Sequence, residues 1–351
     1  MSGADFAASR IAIQLKTSEI SFEEIQLREV VVKAVKALLI VCLLAACGTA
    51  ASAQPYPNKP IRLLVTVAPG GPIDTVARTV AEFMQPALGQ PIVVENRPGA
   101  GGTLGAKSAE TADPDGYTIL LSTLQTFGIA PFLYENPGYS PDKFVPVGLV
   151  AEFPFVFVVP ASVPAKTPKE FVEFARNSKE PLSFGGSLAT PAHLLGVLFN
   201  QANKLEIQYI PYKGLAPSIA DLLAARTHMA FDALPTLIPL IKDGKLRPLA
   251  VLSRSRLKML PDVPTMHESG YPTFPTNPWT GLVAPPGTPQ DIVKKLNEAL
   301  NTALSSPDAQ AKMQALALQP IGGTQEDFVN RIKADVPVWK ELVRASGARP
   351  Q

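Results

Sequence analysis

With 351 residues, 46% of them hydrophobic, the chain can bury one large core or two medium ones. Formal charge is nearly balanced at +2, which removes the basic field that nucleic-acid binding relies on. The 36 prolines stand mostly between periodic segments and mark stiff, ordered loops.

The N-terminus reads as a targeting segment. Lys33 and Lys36 precede an apolar run, Ala37–Ala46, and Ala51-Ser52-Ala53 then offers a small-x-small cleavage site before Gln54. The run is too short for a bilayer-spanning helix. Residues 1–53 are therefore expected to be an upstream extension plus a signal peptide, cleaved after Ala53 on export to the periplasm. Met1–Val30 is odd for such a signal and points to a natural start near Val30, Val31 or Val32. Leu44-Ala45-Ala46-Cys47 also has the form of a lipobox, so a lipid anchor at Cys47 is the alternative. Both cysteines of the chain, Cys42 and Cys47, lie in this segment. Cleavage after Ala53 would leave no thiol or disulfide.

The next stretch organises the rest. Ile61–Val67 is an apolar stretch dominated by Val and Leu, as in a buried parallel strand. Pro69, Gly70 and Gly71 break it, and Ile73, Val76, Ala77 and Val80 then recur on one helical face. A glycine turn from a strand end into a helix start aims backbone N–H groups at one point, which suits an anion. Pro91–Glu95 reads as a second strand, Asn96–Gly105 as a turn, Thr103–Thr111 as a helix, and Tyr117–Ser122 as a third buried strand. Strands alternating with helices predict a parallel, doubly wound α/β sheet.

Val147–Val150 and Phe155–Val159 are strand-like, and Phe155–Pro160 is expected to carry the chain into a second lobe. There Thr167 N-caps a helix over Pro168–Asn177. Strands at Leu182–Phe184, Ile207–Ile210, Met229–Asp232 and Leu249–Leu252 alternate with helices from Thr190-Pro191 to Ala202 and over Ala216–Ala225. A proline-rich loop runs from Ser253 to Pro278. Thr280–Ala284 returns to the first lobe, followed by helices over Pro289–Ser305, Pro307–Ala315 and Gln325–Ser346. The expected division is residues 54–158 with 281–351 as one lobe, and 159–280 as the other. Ligands of open α/β sheets bind beyond the carboxyl ends of strands. The loops there are Pro69–Gly71, Ser122–Gln125, Gly185–Thr190, Tyr212–Gly214 and Asp232-Ala233, and two facing lobes would bring them into one cleft.

Several chemistries fail on spacing. The three histidines, His193, His228 and His267, form no metal-binding pair, so no metal is expected. Gly99 and Gly101 fit two positions of a dinucleotide fingerprint, but Leu104 fills the third, so no nucleotide cofactor is expected. Gly185-Gly186-Ser187-Leu188-Ala189 differs from a nucleophile elbow only at Ala189, with Asp232 and His267 following in hydrolase order. Its strand is short and its helix starts late, at Thr190. A serine hydrolase using Ser187 is the alternative of a different class. Asp74 and Arg78 are spaced for an i,i+4 pair; Asp74 caps the helix or orients the loop before it. Lys213 can pair with a ligand carboxylate or stand solvated. His193, one turn past Thr190, can reach a ligand. Phe127, Phe132 and Trp279 read as core residues, with Phe127 the most plausible ligand platform.

A family resemblance runs through the whole of the chain after residue 53. Tyr56-Pro57, Lys59-Pro60-Ile61-Arg62, Ala68-Pro69-Gly70-Gly71, Asp74 and Ala77-Arg78 resemble the start of Bug-type solute receptors, the extracytoplasmic binding proteins of tripartite tricarboxylate transporters. Val94-Glu95-Asn96-Arg97-Pro98-Gly99-Ala100-Gly101-Gly102, Pro211-Tyr212-Lys213-Gly214, Pro261-Asp262-Val263-Pro264-Thr265, Gly281-Leu282, Ala284-Pro285 and Gly287-Thr288-Pro289 continue it in order. The resemblance implies a type II Venus-flytrap fold with two crossover strands, no catalysis and no cofactor. It implies a monomer that grips a small carboxylate and delivers it to membrane transporter subunits, with a sensor as the alternative partner. Carried over, the contacts would come from Pro69, Gly70, Gly71, Ser122 and Thr123 in one lobe, with Ile73, Asp74, Gln125 and Phe127 beside them. In the other they would come from Gly185, Gly186, Ser187, Ala189, Thr190, His193, Tyr212, Lys213 and Asp232. Two departures stand out. Pro72 and Ile73 replace a small residue and a threonine, which removes one N–H donor and favours a partly apolar acid. Ala189-Thr190-Pro191-Ala192-His193 replaces the family's Gly-Thr-Pro-Ser-His.

Overall fold

The computed structural model describes residues 27, 30–36 and 56–348. Residues 30–36 are helical and belong to a unit, Met1–Pro55, separate from the body that begins at Tyr56. The apolar run Ala37–Ala46, the Ala51–Ala53 site, Cys42 and Cys47 lie outside the described residues. Among the described residues no helix is long and apolar enough to cross a membrane.

In the body, β1 (Ile61–Val65) pairs in parallel with β2 (Ile92–Asn96) and β3 (Thr118–Thr123), as the alternating pattern predicts. Helix α1 (Pro72–Leu88) buries Val76, Ala77 and Val80 of the face read from the sequence, with Met84 added and Ile73 only half-buried. A 3₁₀ turn leads into α2 (Thr103–Glu110). Residues after β3, read as a loop, instead form a π-turn, Gln125–Ile129, and a short helix, α3 (Ala130–Leu133). Next, β4 (Val145–Glu152) and β10 (Trp279–Ala284) join the sheet, with two-residue β11 (Gln319–Pro320) at its edge. The order is β11-β4-β10-β3-β1-β2. The sheet is mixed rather than wholly parallel, because β10 runs against both β3 and β4. β10 re-enters from the other half, so it starts at the edge where β4 leaves.

The second half begins with β5 (Phe155–Pro160), flanked by β8 (Ala230–Ala233) and β9 (Leu246–Val251), both antiparallel to it. All six residues of β5 are buried. Phe157 and Val159 enter the main core; Val156 and Val158 enter a smaller one with Leu234, Leu237 and Leu246. That is the period-two alternation of a strand covered on both faces. β6 (Ser183–Gly186) and β7 (Gln208–Pro211) pair in parallel, and a parallel bridge from Phe184 to Met229 links β6 to the approach of β8. Around these strands lie α4 (Pro168–Asn177), α5 (Pro191–Asn203), α6 (Leu215–Leu223) and α7 (Leu234–Lys242). Helix α7 escapes sequence reading because Pro235 and Pro239 break its pattern. Pro235 lies in the first turn, where its missing N–H is no loss. Three C-terminal helices, α8 (Gln290–Ser305), α9 (Pro307–Ala315) and α10 (Gln325–Ser346), pack on the first half. Phe328 of α10 lies over Gly281 so closely that any Cβ there would strike its ring at 2.2 Å.

The chain crosses between the sheets at Phe153-Pro154 and again at Asn277-Pro278, ahead of the 158/159 and 280/281 boundaries read from the sequence. The two crossings are tied side by side. The Phe153 N–H donates to Pro278 O at 2.9 Å. Fully buried Asn277 accepts from the Phe155 N–H at 3.1 Å and donates to Glu152 and Ser253, each at 3.2 Å. Arg331 of α10 pairs with both Glu152 and Asp335 and donates to Asn277 O at 3.0 Å. The result is a two-lobed α/β body with paired crossing strands between the lobes.

Candidate functional site

Strand order decides which loops can share a cleft. In the first sheet, β4 and β10 separate β11 from β3, β1 and β2. In the second half, β5 separates β9 from β8, β6 and β7. Every loop singled out in the sequence follows β1, β3, β6, β7 or β8. All of them therefore fall on one flank of the crossings.

The loop after β1 is built around Asp74. Its carboxylate accepts from the Gly70 N–H at 2.9 Å, from Asn96 Nδ2 at 2.8 Å and from Arg78 Nε at 2.9 Å, so it orients the loop and pairs with Arg78 but caps no helix amide. The Arg78 hydrogen bonds hold its pKa down to about 2. Gly70 has φ 88, a left-handed conformation that favours glycine, and nothing lies within 4 Å of where a Cβ would be on Gly70 or Gly71. The Gly70 amide is committed to Asp74. The Gly71, Ile73 and Asp74 amides are left at the start of α1, where no intrahelical acceptor precedes them. Gly71, the N-cap, supplies no side-chain cap.

The loop after β3 differs from expectation. Ser122 is fully buried, and its hydroxyl donates to Gly281 O at 2.8 Å. The Thr123 N–H donates to Thr126 Oγ1 at 3.0 Å, and its own hydroxyl accepts from the Thr126 N–H at 3.2 Å. These two side chains knit the sheet end and the π-turn together. Phe127 is 2% exposed, packed against Phe144 and Trp279 at ring distances of 5.8 and 6.3 Å. It offers no face to a ligand, because the π-turn rotates it into the core. Gln125 alone of this group remains partly open.

In the second half the singled-out residues form one contact cluster. The Tyr212 N–H donates to Gly186 O at 3.0 Å, and the Gly214 N–H to Ser187 Oγ at 3.1 Å. Gly185 is required by Tyr212, whose ring would stand 2.5 Å from a Cβ there. Thr190 occupies the N-cap position of α5, but its hydroxyl turns back to Ser187 O at 2.8 Å and caps no amide of the helix. His193 is 2% exposed; its Nδ1 accepts from the Ala189 N–H at 3.1 Å, and its ring stacks on Tyr209 at 3.9 Å. Burial pushes its pKa down to about 4, so the ring is neutral near pH 7 and carries its proton on Nε2. Ala189 has φ 55, a region costly for any residue with a Cβ. From the Phe184–Met229 bridge, Asp232 falls level with Ser187 at the same strand-end edge. Burial pushes its carboxyl up to about 6. Lys213 is exposed, with no hydrogen bond or ion pair among the described residues. Tyr209 and Asp221, which accepts from the Tyr212 hydroxyl at 2.6 Å, went unread, because nothing in spacing distinguishes them from other strand and helix residues.

A common feature joins these loops. Helices α1, α5, α6 and α7 follow β1, β6, β7 and β8, and none is capped by a side chain. Of the other helices, Thr167, Ser306 and Thr324 cap α4, α9 and α10 in the ordinary way, whereas α2, α3 and α8 also lack a side-chain cap. Uncapped helix starts leave amides and the positive dipole end open to an anion. The hydrolase alternative finds no such support. Ser187 is hydrogen-bonded to Gly214, while His267 Nε2 sits 3.1 Å from Phe274 O. A nucleophile needs its base within hydrogen-bond reach.

Residues 76–348 match the model of the tripartite tricarboxylate transporter family receptor. The solved periplasmic binding protein BugD is 38% identical, with TM-score 0.70, covering 84% of this chain and 100% of that one. A Rhodopseudomonas palustris protein solved with adipate is 32% identical, with TM-score 0.73, covering 84% of this chain and 100% of its own. MatC of the same organism, solved with bound malate, is 32% identical, with TM-score 0.69, covering 82% and 100%.

Proposed function

The chain belongs to the tripartite tricarboxylate transporter receptor family, and on that premise we propose that it binds a small carboxylate between its lobes and hands it to the membrane subunits of such a transporter. The observation that carries this reading is the set of uncapped helix starts gathered on one flank of the crossings. Amides of Gly71 and Ile73 would hold the acid from one lobe. Amides at the start of α5, the Thr190 region and Lys213 would hold it from the other. Side chains offer few alternatives there, since Arg78 is bound to Asp74 and His193 is neutral. Half-buried Ile73 lends the mouth an apolar edge that suits dicarboxylates with a methylene spacer. The adipate and malate bound to relatives fall in that class.

Closure follows from the bridging. An acid that touches both lobes favours the closed hinge by its differential affinity, and the membrane subunits read the closed form. Catalysis is not part of the reading, and the protein acts as a monomer, exported with its signal cleaved after Ala53. A lipid anchor at Cys47 would alter only its tethering. Thermal denaturation against mono-, di- and tricarboxylates, aromatic acids and amino acids tests the function. A dicarboxylate at 100 times its Kd should stabilise by about 2.7 kcal/mol, and Lys213→Ala should reduce the shift. No shift from any acid in the panel would reject the reading.

A further inference from the structure

Behind the crossings, on the flank away from the loops described above, lies an open cavity of about 990 Å³. One wall comes from the segment after β9, Arg254 to Met259; the other comes from β11, α9 and the first turns of α10. Its two walls thus belong to different lobes. Glu152 and Arg331, which tie the crossings together, form part of its lining.

The lining has an uneven chemistry. Arg331 is held between Glu152 and Asp335, whose two charges exceed its one, and Arg256 is paired with Glu268. Asp327 is engaged with the Thr324 amide and hydroxyl at the start of α10. Arg254 and Lys258 are exposed and have no ionic or hydrogen-bonding partner among the described residues, leaving two unpaired cations on one wall. Beside them is apolar surface that has not been withdrawn from water. Met259 is 41% exposed and Ile321 is 40% exposed, facing the same space from opposite lobes, with Leu257 and Leu318 beneath. Unpaired cations over an apolar floor fit neither a bare metal ion nor a short, fully polar acid.

We propose that this cavity is a second ligand site, for an amphiphilic anion: a sulfonate-, phosphate- or carboxylate-bearing molecule with an apolar body. The head group pairs with Arg254 and Lys258, and the body covers Leu257, Met259, Leu318 and Ile321. The site is independent of the cleft ligand and does not need the carboxylate reading to hold.

The test uses the chain from Gln54 onward and 8-anilinonaphthalene-1-sulfonate as the fluorescent probe. Saturable binding of one probe per chain is expected, displaced by decanesulfonate and not by decyltrimethylammonium at equal concentration. The double variant R254E/K258E should weaken binding at least tenfold, and so should Ile321→Asp on the opposite wall, with unfolding midpoints kept within about 3 °C of the parent. Lys213→Ala, on the cleft side, should leave the probe's affinity unchanged. Non-saturable binding, unchanged affinity in both cavity variants, or loss in Lys213→Ala would overturn the proposal. A dimer in sedimentation that R254E/K258E dissociates, with no probe binding, would put a second copy of the chain there instead and also overturn it.

Discussion

The turn from β1 into α1 and the turn from β6 into α5 solve one problem with opposite chemistry. Each places a residue of positive φ before a helix, Gly70 at 88° and Ala189 at 55°. Each donates that residue's N–H to a side chain four positions on, inside the first helical turn. In the first turn the acceptor is a carboxylate held ionised by Arg78 and Asn96. In the second it is a neutral imidazole, kept so by burial against Tyr209. The lesson is that an uncapped helix start, open to a ligand, still needs its loop pinned, and a charge or a desolvated ring can do the pinning. Only the second arrangement loses its hold in mild acid.

The largest effect should come from breaking the charged pin. Asp74→Ala orphans the Gly70 amide and Asn96 Nδ2 and is expected to cost about 2–3 kcal/mol in urea unfolding. Asp74→Asn should cost less, since one acceptor oxygen survives. The carboxylate's stabilisation is complete above its ordinary pKa near 3.8 and disappears as pH falls through about 2.

The neutral pin separates from the charged one by pH. His193 titrates at about 4 in the fold against an ordinary 6.5, so stability should fall as pH drops through that interval. Asp232 acts in the opposite sense. Its carboxyl is raised from 3.8 to about 6, so its contribution is present below 3.8 and lost as pH rises through 6. The two slopes oppose one another between pH 4 and 6. Asp232→Asn should therefore steepen the acid loss of stability, and His193→Gln should reverse its sign. Melting temperatures taken from pH 4 to 7 distinguish the cases; parallel curves for all three proteins would remove both assignments.

Backbone substitutions probe the positive-φ residues themselves. Gly70→Ala meets no neighbouring atom, so its cost is conformational alone, about 1–2 kcal/mol by chemical denaturation. The smallest effect belongs to Ala189→Gly. Relief of strain there is offset by the greater freedom of glycine in the unfolded chain, leaving a net change within about 1 kcal/mol, toward stability. A loss beyond that would mean the Ala189 methyl packs better than its φ suggests.

Much of the fold was legible because period and punctuation agreed along the chain. Pro168–Asn177 with its Thr167 cap, Pro307–Ala315 and Gln325–Ser346 occur as read. So do the parallel pairings of β1 with its neighbours. Helix α7 and the π-turn were not legible, since prolines and a short apolar run carry no period long enough to recognise. The candidate loops were legible as strand-end segments, but the side-chain contacts inside them were not. Ser122, Thr123 and Phe127 share a strand-end position with the other candidate loops, yet contacts with Gly281, Thr126 and Trp279 turn them inward.

Apart from α7 and the π-turn, the sequence alone determined most of the segments that become strands and helices, the glycine turns that join them, and the family the pattern belongs to, because those depend on neighbours within a few residues. Tertiary structure decided the direction of β10, the tie of Asn277 and Arg331 across the crossings, and the cavity behind them. Each of these requires residues far apart in the chain to meet, Asn277 with Arg331 at 54 positions and Glu152 with Arg331 at 179. No local period encodes such a meeting; it follows only once two halves have folded and packed against a shared pair of strands.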